Sequence, residues 1–133
     1  LVLHDEIDLT PGKVRAKMAG GHAGHNGLRS IHAHIGDTYG RIRLGVGHPG
    51  HKDRVPSFVL HDFAKADQPW LENVLTGISD GAAHLASGDD GRFMNAVALQ
   101  VNPPRTRAET VHFGYASMAP YIVAPQIAIL TSA

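Results

Sequence analysis

Lys13-Val14-Arg15-Ala16-Lys17-Met18 alternates strictly between basic and apolar side chains, then opens past Ala19 into Gly20-Gly21-His22-Ala23-Gly24-His25-Asn26-Gly27. A period of two marks a half-buried strand with one basic face. The glycine-rich run reads as a loop. Asn26 is the expected N-cap of a helix that carries Leu28, Ile31 and Ile35 at helical spacing and closes at Gly36. A second alternating run, Arg41-Ile42-Arg43-Leu44-Gly45-Val46, follows. Strand, loop, helix and strand in succession point to an α/β fold.

Upstream, Leu1-Val2-Leu3 runs into His4-Asp5 and reads as a buried central strand ending in polar residues, with a turn at Thr10-Pro11-Gly12. Leu1 also reads as the inside of a strand, so the expectation is that something upstream is missing. Downstream, Asp67 is placed to cap a long helix with Pro69 in its first turn. Its apolar stripe is Trp70, Leu71, Val74, Leu75, Ile78, Ala82 and Leu85, and Gly88 ends it. Phe93 to Leu99 reads as a further short helix, and Pro56 to Phe63 carries no clear pattern. Two regions result: a domain over 1–99, then a linker and an apolar tail over 100–133. In that tail Val111 to Ala133 is aperiodic and interrupted by Pro120 and Pro125.

The chain of 133 residues, 43% hydrophobic and 18% charged, is long enough to bury a modest core. With no cysteine, disulfides, thiolate metal sites and a cysteine nucleophile are excluded. No apolar run reaches the ~18 residues of a spanning helix. Formal charge is zero but uneven. Thr10 to Leu60 holds eight basic residues against Asp37 and Asp53, whereas His61 to Leu99 is acidic. A basic half suits a phosphate-bearing partner, and equally the solvated face of an ordinary domain.

Three constellations could carry chemistry. Asp5 lies just past the carboxyl end of a strand, where ligands gather in open α/β sheets. A carboxylate there can orient a histidine, or simply cap a turn. The loop Gly20 to Gly27 opens a helix. Its backbone N–H groups could approach a phosphate or a ribose-linked ester, or its glycines could serve only a tight connection. The ten histidines invite a metal reading through His22 with His25 and His48 with His51, but neither pair has the helical spacing of a zinc site. Sparse aromatics argue against a single-strand stacking platform. Basic strands favour a folded RNA held by its backbone.

Taken together, Val2 to Leu9 with Pro11-Gly12, Gly20 to Ile31, Arg41 to Gly50, and Val59-Leu60 resemble the bacterial peptidyl-tRNA hydrolase family in order and spacing. Asp53 to Leu99 is most similar to alphaproteobacterial members. The resemblance covers Leu1 to about Leu99. It implies a monomeric α/β fold with a mixed β-sheet between helices, present here as an incomplete C-terminal portion. The implied activity is hydrolysis of the ester between a peptide, or an N-blocked amino acid, and tRNA, in the cytoplasm. The implied substrate is peptidyl-tRNA, with no cofactor, no metal, no membrane and no obligatory protein partner. Asp5 matches the aspartate that orients the family's general-base histidine. Asn26 matches an asparagine that binds the tRNA end, and His25 and Gly24 line the same cleft. Lys17 and Arg43 match the residues that clamp tRNA phosphates. The family's Asn-Pro-Gly loop, its catalytic histidine and its Phe-Met-Asn segment have no counterpart at matching positions, and Phe93-Met94-Asn95 lies in the wrong place to inherit that role. Impaired hydrolysis is therefore expected of this chain. The alternatives are a non-catalytic tRNA-binding fragment and, more distantly, a histidine-rich metal binder.

Overall fold

The computed structural model describes residues 1–104, so the apolar tail expected at Val111 to Ala133 lies outside the described residues. Three strands form one mixed sheet: β1 (Val2–Glu6), β2 (Val14–Met18) and β3 (Gly40–Gly45). The spatial order is β1-β3-β2, with β1 parallel and β2 antiparallel to the central β3. Helix α1 (Asn26–Ile35) connects β2 to β3. A 3₁₀ turn at Lys52–Arg54 leads into the short α2 (Val55–Leu60) across the stretch without clear periodicity. A second turn at Lys65–Asp67 leads into α3 (Gln68–Ala86), and α4 (Asp90–Val101) follows.

The alternation in β2 and β3 sorts the sheet into two faces. Val14 and Ile42 are buried with Ala16 and Leu44 packed beside them, and Val74, Phe93 and Val97 close the core from α3 and α4. The opposite face carries Arg15 directly across from Arg43 and Lys17 across from Arg41. Gly77 and Gly81 let α4 approach α3. A Cβ on Gly77 would stand 2.7 Å from the Val97 Cα, and one on Gly81 would stand 3.0 Å from Phe93 Cδ2. Their value is the absence of a side chain, at a helix-propensity cost of roughly 1 kcal/mol each.

Several expectations need correction. The strand expected to be central lies at an edge of the sheet among the described residues, and Leu1 and Leu3 are exposed. The α3 stripe is narrower than the sequence suggests: Leu75 and Ala82 face outward, while Gly77 and Gly81 take the contact positions. Asp67 makes no side-chain cap, because its carboxylate accepts from Trp70 Nε1 at 3.0 Å and from the Ala64 backbone N–H at 3.1 Å. Helix α4 runs past Leu99 to Val101, and the first compact unit spans Leu1–Pro103.

Candidate functional site

The carboxyl end of β1 and the start of α1 meet. Asp5 is half-buried, and its Oδ1 lies 2.9 Å from His25 Nε2. The residue that caps α1 is His25, not Asn26: its Nδ1 accepts from the Leu28 backbone N–H at 3.2 Å. The physical reason is local. His25 has extended backbone (φ −69°, ψ 114°), the conformation that brings a side-chain acceptor over the first-turn amides. Asn26 is thereby the first helical residue and stays exposed, free to present its amide to a ligand.

The loop before the helix is a chain of tight turns. Gly24 takes φ +81° and its N–H donates to His22 Nδ1 at 3.0 Å. Ala19 and Ala23 also adopt positive φ, at 57° and 47°, a left-handed conformation that costs a non-glycine residue roughly 1–2 kcal/mol. Arg41 holds this loop. It is 3% exposed and donates to the backbone carbonyls of Ala19 and Gly21. Its guanidinium is therefore committed to the fold, although its alternation with Arg43 suggests equivalence.

The His4 ring stands edge-on to His25, with centroids 5.2 Å apart at 85°, and its Nδ1 donates to the Asp5 carbonyl at 2.8 Å. Burial pushes the His4 pKa down, and the charges of His25 and Arg41 push it the same way, against the Asp5 carbonyl and Glu6. The folded state thus disfavours the proton more than the unfolded chain does. The stabilising contribution of neutral His4 is complete above the ordinary value of 6.5 and is lost as pH falls below it through the folded pKa. The expected result is that the melting-temperature gap between wild type and His4→Gln narrows from pH 7.5 to pH 5.5. A constant or widening gap would contradict it.

Beside this cluster Arg43 donates from Nε to Glu6 Oε2 at 2.9 Å. Burial alone would raise the Glu6 pKa, but the bonds from Arg43 and the Asp8 N–H and the Arg43 charge outweigh it and hold it below the usual range. Lys17 and Arg15 are exposed on the adjoining strand. Like charges directly opposed across strands are unfavourable on their own; here the bonds of Arg41 to the loop carbonyls and of Arg43 to Glu6 offset the repulsion.

His48 and His51 serve turns. His48 Nδ1 accepts from Gly50 N–H at 3.0 Å and His51 Nδ1 from Asp53 N–H at 3.2 Å. Among the described residues no three His, Asp or Glu side chains converge as a metal site would require. No helix there is long and apolar enough to cross a membrane.

Comparison with known proteins identifies the family of the chain. The family model described as peptidyl-tRNA hydrolase matches residues 1–106. The chain is 72% identical over 106 residues to the peptidyl-tRNA hydrolase of Roseobacter denitrificans, covering 80% of this chain and 46% of that protein. It is 71% identical over 106 residues to the one from Ruegeria sp., covering 80% and 43%. Among solved structures, the peptidyl-tRNA hydrolase of Acinetobacter baumannii superposes with a TM-score of 0.64 at 39% identity, covering 72% of this chain and 50% of the other. The chain spans about half the length of the curated relatives it matches. It belongs to the peptidyl-tRNA hydrolase family.

Proposed function

We propose that the protein hydrolyses the ester linking a peptide, or an N-blocked amino acid, to the terminal ribose of tRNA, and that it does so in the cytoplasm where translation supplies that substrate. The observation that carries this reading is the Asp5 carboxylate at the end of β1, facing the start of α1 beside exposed Asn26, with a cationic sheet face adjoining.

In this mechanism Asp5 orients a histidine general base and stabilises its charged form while water attacks the ester carbonyl. The resemblance implies a histidine as that base, and the chain spans about half the length of the relatives it matches. Asn26 binds the tRNA end and positions substrate or water, and His25 and Gly24 line the same cleft. Lys17 and Arg43 hold tRNA phosphates, which gives affinity without reading sequence. The resemblance implies that this activation of water needs no metal or cofactor.

The test is release of an N-blocked amino acid from tRNA, paired with tRNA binding over a range of salt concentrations. Each phosphate contact contributes about 0.7–0.9 to the slope of log K against log salt. Lys17→Gln and Arg43→Gln are therefore each expected to weaken tRNA binding and to flatten that slope by about one contact. Unchanged slopes in both variants would remove the clamp from the proposal.

A further inference from the structure

Both ring nitrogens of His25 are engaged, and their partners dictate which one carries the hydrogen. A backbone N–H can only donate, so the Leu28 amide, 3.2 Å from Nδ1, identifies Nδ1 as a bare acceptor. A neutral imidazole with a bare Nδ1 carries its hydrogen on Nε2. That nitrogen lies 2.9 Å from Asp5 Oδ1, an acceptor only, and donates to it. The two bonds reinforce each other. The Asp5 charge favours hydrogen on Nε2, and that tautomer leaves Nδ1 open to cap the helix. The edge-on His4 ring packs against His25 and limits its rotation.

This arrangement leaves His25 no lone pair with which to take a proton from water. Among the described residues Asp5 Oδ2 makes no hydrogen bond, and the carboxylate is 41% exposed, so one oxygen is held while the other remains open.

We infer that His25 is a positioning residue and not a general base: in its Nε2–H tautomer it ties the Asp5 carboxylate to the first turn of α1, so that the open Asp5 oxygen and Asn26 keep one fixed relation. The inference rests on the reading above that Asp5 and Asn26 belong to one hydrolytic site. It separates two jobs within one ring, capping through Nδ1 and carboxylate orientation through Nε2.

Two conservative variants divide those jobs. His25→Asn places an acceptor near the Nδ1 position, and asparagine is a strong N-cap. His25→Gln places an N–H donor near the Nε2 position and gives up the cap. The experiment uses the full chain. Long-range ¹H–¹⁵N correlation of the His25 ring is expected to give an acceptor-type shift at Nδ1 and a pyrrole-type shift at Nε2. Hydrogen exchange at the Leu28 amide is expected to stay near wild type in His25→Asn and to run about fivefold faster in His25→Gln, the equivalent of a lost cap. In the hydrolysis assay His25→Asn is expected to lose more kcat than His25→Gln, with KM little changed in either.

A hydrogen on Nδ1 in the ring spectrum overturns the inference, as does an equal loss of kcat in the two variants. Absence of hydrolysis in wild type as well would count against the proposed activity instead. The ring shifts and the Leu28 exchange rates would then decide the role of His25 alone.

Discussion

Replacing Asp5 with Asn is expected to lower kcat for ester hydrolysis by roughly 10²–10⁴-fold, the range lost when a general base is no longer properly oriented. The substitution keeps the shape and removes the charge. It also sets an amide that can donate where His25 Nε2–H requires an acceptor. Affinity for tRNA is expected to stay within about twofold, because phosphate contacts on the basic strands supply most of it. Single-turnover release of an N-blocked amino acid from tRNA, with wild type and variant side by side, separates the two effects. A kcat within about threefold of wild type would remove Asp5 from the mechanism.

The largest effect on stability is expected at Phe93. Its side chain is 0% exposed and lies against Gly81 where α4 crosses α3. Phe93→Ala leaves a cavity that glycine neighbours cannot fill, and such truncations cost about 3–5 kcal/mol. For a domain of this size, with total stability on the order of 5–15 kcal/mol, that is a large share. The expected fall in melting temperature is more than roughly 10 °C. A fall of less than about 4 °C would mean that α4 contributes little to the folded unit. Because Phe93 faces the core and not the basic sheet surface, tRNA binding by the protein that remains folded is expected to be unchanged.

These two sites differ in how legible they were. Asp5 stood out because a carboxylate directly after an apolar run is where an α/β sheet presents its chemistry. Phe93 sat in a segment read only as a short helix, and its burial depends on Gly77 and Gly81, which as letters argue against helix. Those glycines are favoured by the contact of α3 with α4, where Gly77 meets Val97 and Gly81 meets Phe93, and contact between segments leaves no periodic signal in either one. The capping error at α1 has a similar origin. Propensity ranks asparagine above histidine at an N-cap, and the general ranking was overridden by a particular bond from His25 to Asp5, 20 residues away in sequence.

The same division holds across the molecule. The α/β class, the two alternating strands, the basic and apolar faces and the glycine loop before a helix were determined by sequence, because side-chain alternation and backbone permissiveness act between near neighbours. Which cations remain available was decided only by tertiary structure. Arg41 and Arg43 occupy equivalent places in one pattern, yet Arg41 is buried holding Ala19 and Gly21 while Arg43 pairs with Glu6. The joining of Asp5 to α1 through His25 was likewise decided in three dimensions. A hydrogen bond depends on where two atoms meet in space, and residues far apart along the chain meet only once strands and helices have packed.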